Sequence, residues 1–264
     1  MLHNSIPVVM YHHVSKADRE LNVYPEVFED QMKELSHRGW KTLSGDEFLY
    51  FIDNQEEKPK KCVLLTFDDG FADNYVFAYP LLKKFNMKAM MFVATDFIAD
   101  DDVKRDSFVS LTHNDAWKLA YSDRRSEVIC TWQELEEMES SRVFDIQSHG
   151  MSHLTPDMMK QKKYKTLRED LTGGKAILET RLSKKAYHFA WPRGHYDAEG
   201  VRIAGDVGFR VLYTTERGPN TKENLHAVNR LPVKCKDGAW LSGKLPIYSS
   251  IFLSKLYLSL RTGI

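Results

Sequence analysis

The 264 residues are enough for one large domain with a real core, and 42% apolar and 12% aromatic content excludes a disordered or low-complexity chain. With 37 Lys+Arg against 37 Asp+Glu the formal charge is zero, so the excess of basic charge on which a dedicated nucleic-acid binder depends is missing. Cys62, Cys130 and Cys235 form an odd, dispersed set without CxxC spacing, which argues against a disulfide framework or a thiolate zinc site and fits a reducing compartment.

Along the chain, short apolar runs alternate with helical stretches. The first residues carry no basic segment followed by an apolar run, so no secretory signal is read there. Ile6 to Tyr11 has strand length and is apolar throughout, as in a strand buried on both faces. Phe28, Met32 and Leu35 recur at helical spacing, and Gly39 marks the stop. Cys62 to Phe67 reads as strand, and a helix follows with Tyr75, Tyr79, Leu82 and Phe85, kinked at Pro80. Ala89 to Ala94 is strand again. Residues 96–130 are polar, acidic and aperiodic, an excursion from the scaffold that such length marks as functional or mobile.

Thr131 to Glu134 is a capping-box signature opening a helix with Leu135 and Met138. Val143 to Ile146 reads as strand, and Pro156 to Lys185 as a basic helical region split at Gly173-Gly174, where two interior glycines cost about 2 kcal/mol. Its basic residues form either a solvated face or a contact for phosphate. Tyr187, Phe189 and Trp191 alternate as in a strand, and Phe209 to Tyr213 and Ala227 to Val233 complete the set. From Leu245 to Leu260 an apolar helical face remains, either docked on the body or lying in a membrane interface. No segment offers the ~18 uninterrupted apolar residues of a membrane span. Seven or eight strand–helix units in one chain imply a parallel sheet and favour a barrel over two domains. The expected organisation is an α/β barrel over 1–240, with the 96–130 insertion, and a helical tail over 241–264.

The segment Leu64 to Gly70 puts Asp68 and Asp69 at the C-terminal end of a buried strand, where parallel barrels keep their active sites. Neighbouring side chains at a strand end diverge, so one carboxylate has the geometry to ligate a metal while the other faces the reacting atoms. Asp-Asp-Gly is also ordinary turn chemistry. His149 and His153, four apart after another strand, would share one face of a helical turn at the spacing of a single metal ion. Two histidines and one aspartate leave coordination positions open, which is the catalytic rather than the structural pattern.

The run Thr66-Phe67-Asp68-Asp69-Gly70, then Ser148 to His153, then Phe189 to Gly194, in that order, resembles the polysaccharide deacetylases, the NodB-type family-four carbohydrate esterases. The resemblance spans roughly residues 6 to 233. It implies a deformed (β/α) barrel of about seven parallel strands and a divalent metal, most often Zn2+, with Co2+, Ni2+ or Mn2+ as alternatives. It also implies removal of an N-acetyl group from an amino sugar in a glycan precursor, a lipid-linked saccharide or a polysaccharide. Carried over by position, Asp69, His149 and His153 would hold the metal, Asp68 would be the general base, and the backbone at Arg193 would assist the oxyanion.

The chain departs from the pattern at Ala190, where many members carry an arginine that orients the base. The catalytic acid is expected at His226, in Leu225-His226, with His12, His13 and His195 as other candidates. Those three, with Trp191, are also read as substrate-binding. Two other readings remain open: hydrolysis of a different C–N bond, as in allantoinase-like relatives, and an inactive glycan-binding relative. The expected partner is an N-acetylated amino sugar and not a nucleic acid. The expected place is the cytoplasm, with peripheral contact at the inner membrane through 245–261.

Overall fold

The computed structural model describes residues 4–18, 20–100, 105, 108–154 and 163–262. In chain order the strands are β1 (Val8–Tyr11), β2 (His13–Val14), β3 (Asn22–Val23), β4 (Lys41–Thr42), β5 (Cys62–Phe67), β6 (Ala89–Val93), β7 (Phe144–Ser148), β8 (His188–Ala190), β9 (Val211–Tyr213) and β10 (Leu231–Pro232). The helices are α1 (Pro25–His37), α2 (Gly45–Asp53), α3 (Tyr79–Lys84), α4 (His113–Ala120), α5 (Trp132–Ser140), α6 (Lys163–Leu182), α7 (Ala198–Val207), α8 (Gly238–Tyr248) and α9 (Ile251–Thr262).

Seven strands pair in the order β10-β1-β5-β6-β7-β8-β9, all parallel, with β4 adding a short pairing beside β5. A parallel bridge between Tyr213 and Val228 brings the two ends of this path together, three residues before β10 begins. The result is the deformed seven-stranded barrel that the resemblance implies.

Alternation along the strands sorts side chains onto two apolar faces. Val9 and Tyr11 of β1, Leu65 and Phe67 of β5, and Met91 and Val93 of β6 pack outward with Phe28, Met32 and Leu35 of α1. Val8, Leu64, Met90 and Phe92 point the other way and join Val211 and Tyr213 in the barrel interior. Burying both faces explains why these strands read as unbroken apolar runs rather than as alternating ones.

Three local expectations are corrected. The helix around Pro80 divides into a π-helical turn, Asn74–Ala78, and α3, because a widened turn relieves the proline's missing N–H. α6 runs unbroken through Gly173 and Gly174: a Cβ at Gly174 would lie 2.7–2.8 Å from the backbone of Gly150 and Met151, so the glycine permits close approach instead of ending the helix. The start of that region at Pro156 lies outside the described residues. The 96–130 excursion holds a regular helix, α4, capped by Thr112, whose Oγ1 accepts from the Asp115 amide at 3.2 Å.

The basic side chains described in α6 and its following turn are ion-paired. Among the residues whose side chains are described, Lys165, Arg168, Lys175, Arg181, Lys184 and Lys185 each meet a carboxylate; Lys160, Lys162 and the side chain of Lys163 lie outside them. The tail is two helices. α8 buries Leu241, Leu245 and Tyr248 in the main core and presses Gly238 onto α1, and α9 follows after a break at Ser249 and Ser250. Among the described residues no helix is long and apolar enough to cross a membrane.

Candidate active site

The C-terminal ends of β1, β5, β7, β8 and β9 open into a cavity of about 450 Å³ lined by His12, Asp68, Asp69, His149, His153, Arg193 and Thr215, with α4 along one side. At its floor the ligand atoms of Asp69, His149 and His153 lie within 4.8 Å of one another. Asp69 Oδ1 stands 3.4 Å from the Nε2 atoms of both histidines. Metal bonds of about 2.0–2.1 Å in a tetrahedral shell place neighbouring donors about 3.3–3.4 Å apart, so this donor set fits one divalent ion.

The local backbone makes that convergence. Asp69 takes φ 74°, in the left-handed region, which turns its carboxylate away from that of Asp68. His149 continues from β7, its amide donating to the Val93 carbonyl at 2.8 Å. Its Nδ1–H donates to the Ala190 carbonyl at 2.7 Å, which leaves Nε2 bare and aimed at the site. The small residue at 190, where an arginine was expected, therefore supplies a backbone oxygen.

His153 does not sit on a helical turn. Residues 149–153 form a loop with φ 87° at Gly150 and 52° at His153. Asp170 of α6 ties that loop down, accepting from the amides of Met151 at 3.0 Å and Ser152 at 2.8 Å and from the Ser152 hydroxyl at 2.6 Å. The sequence motif contains both histidines, but their shared direction comes from this buried carboxylate and from Gly174 beneath it.

Asp68 is held by Arg230, which the sequence reading missed. The fully buried guanidinium makes a bidentate pair, Nη1 to Oδ1 at 2.6 Å and Nη2 to Oδ2 at 2.8 Å, while its Nε–H donates to the Thr214 carbonyl at 2.7 Å. Arg230 thus brings a guanidinium to Asp68 from the barrel seam in a chain that has alanine at 190. Burial would raise the Asp68 carboxyl, but the Arg230 guanidinium and then His12 and His149 hold it below the ordinary carboxylate range. At Asp69 burial is again opposed, by the adjacent His149 and His153 imidazoles, and the carboxyl lies well below that range.

Of the other residues singled out from sequence, His12 and Arg193 reach the cavity. His12 Nε2 lies 3.8 Å from Asp68 Oδ2, and burial pushes its imidazole below the usual value against the pull of the two aspartates. Arg193 lines the rim with φ 58°. His13 is buried behind the wall, its Nδ1–H donating to Asp73 at 2.8 Å. Three expectations are corrected. His226 is exposed in the turn before β10, next to Leu225, whose carbonyl accepts from Leu212 within β9, and it does not line the cavity. His195 is exposed and does not line the cavity either. Trp191 is 3% exposed and packs with Phe189 and Leu167 in a side core, so it offers no face to a substrate.

The family model described as polysaccharide deacetylase matches residues 55–212. That segment includes both aspartates, both ligand histidines and Arg193, whereas His12 and Arg230 fall outside it. The chain is 27% identical over 229 residues to a polysaccharide deacetylase-type protein of Bacillus subtilis, covering 86% of this chain and 71% of that one. It is 23% identical over 235 residues to the poly-beta-1,6-N-acetyl-D-glucosamine N-deacetylase of Staphylococcus aureus, covering 81% and 73%. Among solved structures, the Streptococcus pyogenes deacetylase PplD in complex with acetate superposes with a TM-score of 0.75 at 25% identity, over 91% of this chain and 98% of that one. With the barrel, the convergent Asp-His-His set and a match over more than half its length, the chain belongs to the polysaccharide deacetylase family.

Proposed function

We propose that this chain is a metal-dependent N-deacetylase that hydrolyses the acetamide of an N-acetylated amino sugar in a glycan precursor, a lipid-linked saccharide or a polysaccharide. The observation that carries this reading is the pairing of a three-donor cation site with a separately clamped carboxylate next to it. Asp69, His149 and His153 would hold the ion, and two imidazoles with one carboxylate favour Zn2+, with Co2+, Ni2+ or Mn2+ as alternatives. A divalent ion bound there supplies Lewis acidity to the acetamide carbonyl and lowers the pKa of water.

The remaining work falls to the chain. Asp68, kept ionised by Arg230, takes a proton from the attacking water. Arg230 lets that carboxylate sit buried and fixes its plane, so its free lone pairs face the cavity. His12, the imidazole that lines the cavity beside Asp68, is assigned the return of a proton to the departing amine in place of His226. Arg193 stands at the rim, where its backbone would assist the oxyanion. The clamp from Arg230 weighs against an inactive relative, because a guanidinium holds the base although position 190 is alanine.

Acetate release from N-acetylglucosamine oligosaccharides tests the reading. Release by the metal-loaded protein is expected to stop with chelator and to fall by about 10²–10⁴ in Asp68→Asn. Release only from cyclic or linear non-sugar amides would move the chain to the other C–N bond class.

The same proposal places the enzyme in the cytoplasm, supported by unpaired thiols at Cys62, Cys130 and Cys235. It adds peripheral contact with the inner membrane through α9. Phe252, Leu256 and Leu260, four apart, are 71%, 46% and 77% exposed along one stripe.

A further inference from the structure

The excursion helix α4 presents His113, Trp117 and Tyr121, each four residues from the last, to the cavity that holds the aspartates. Trp117 lies against His153 with ring centroids 4.6 Å apart, and Phe97 packs behind both Trp117 and Tyr121 at 5.1 Å, so the aromatic wall is rigidly backed. Tyr121 is 61% exposed at the open end. An exposed aromatic surface leading down to a reacting centre is a stacking platform for the apolar face of a pyranose ring.

His113 has an unusual support. Buried Asp73 accepts from Nδ1–H of His13 at 2.8 Å, and His13 Nε2 faces His113 Nδ1 at 3.2 Å. A carboxylate only accepts, so His13 must carry its proton on Nδ1. Taking His13 Nε2 as the acceptor of that contact makes His113 the donor through Nδ1–H. That leaves His113 Nε2 as a bare lone pair. Burial, first among the influences on it, pushes the His113 imidazole down to about 4, which keeps it neutral.

We propose that α4 is the sugar-binding wall of the site: Trp117 and Tyr121 stack on the pyranose ring, and His113 Nε2 accepts a hydrogen bond from one of its hydroxyls. His13 and Asp73 are positioning residues that fix the accepting tautomer. This assignment rests on the amino-sugar reading above and names the surface that receives the sugar. It also gives the described part of the excursion a chemical task.

The test uses metal-free full-length protein and a trimer of N-acetylglucosamine. Nitrogen NMR of the imidazoles is expected to show His113 as the Nδ1–H tautomer, with Nε2 shifting as the trimer is added; an Nε2–H tautomer would overturn the proposal. His113→Asn keeps a donor toward His13 but deletes the Nε2 acceptor, and is expected to weaken trimer binding about five- to tenfold, the size of one hydrogen bond. Tyr121→Ser, at an exposed position, is expected to weaken it by a similar factor with an unchanged melting temperature. In metal-loaded enzyme both variants should raise KM more than they lower kcat. Acetate release with unchanged KM in both variants would leave the deacetylase reading standing and sink the wall. Trimer binding that responds to both variants, without acetate release, would do the reverse.

Discussion

At the N-terminal ends of the strands, Lys184 donates to both oxygens of Glu139, at 2.9 and 2.8 Å, and to Asp145, which also accepts from the amide of Gly45 and the side chain of Gln147. This cluster borders a cavity of about 370 Å³, similar in size to the one at the opposite end. There, Asp68 is clamped by Arg230 in the same manner, but Asp69 faces only imidazole nitrogens. Each end holds two carboxylates, half-buried beside Lys184 and buried beside Arg230, yet one end carries its own fixed cation for both and the other for only one. The difference teaches where a ligand is required: the deficit of fixed positive charge, rather than the presence of a cavity or of buried acids, marks the reacting end.

The largest effect should come from making the two ends less alike. Arg230→Met would leave Asp68 buried without a partner, a loss of about 3–5 kcal/mol in stability by the usual cost of breaking such a pair. Because Arg230 depresses the Asp68 carboxyl, its removal raises that pKa, so the acid limb of kcat/KM moves to higher pH. Chemical denaturation and a pH–rate profile of the same variant check both parts.

Lys184→Met is the matching change at the other end. It is expected to cost about 3 kcal/mol or more at neutral pH while leaving kcat of the folded enzyme unchanged. Burial already raises the Glu139 carboxyl despite Lys184, and removing the lysine raises the folded-state value further above the unfolded one. A group with a raised folded pKa binds protons on folding, so the penalty should shrink as pH falls toward 4–5. Equal penalties at both pH values would contradict the charge comparison.

Gly174→Ala should have the smallest effect, about 1–3 kcal/mol, because its Cβ would push against backbone at Gly150 and Met151. The loop carrying His153 is what moves. Zinc affinity, measured by competition with a chromophoric chelator, should therefore fall although no ligand is altered.

What the sequence disclosed follows the range of the interactions involved. The limits of β5 were readable because an apolar run buried on both faces ends where the carboxylates begin. The capping box at Thr131 opened α5 because capping is a four-residue event. Arg230 escaped notice because it lies 162 residues from Asp68, and an ion pair between distant strands leaves no local pattern. Asp170, 18 or 19 residues from the amides it holds, is hidden for the same reason. α4 was read as aperiodic although Thr112 and Asp115 carry a capping signal, because its exposed and half-buried faces blur the apolar period. Gly174 was misread because a glycine that admits a neighbouring backbone and one that breaks a helix look the same in sequence.

Arg230 sits one residue before the strand that meets β1, at the seam where the two ends of the sheet path join. The carboxylate proposed to start the reaction is compensated only when the last strand of the barrel has docked against the first. On a ribosome, a nascent chain that has already assembled β5 to β8 would still hold Asp68 without its counter-charge, disfavouring the ionised form in a buried setting. The charge balance that the base requires would then arrive in a single step, when β10 docks on β1, and not by degrees as the earlier strands assemble.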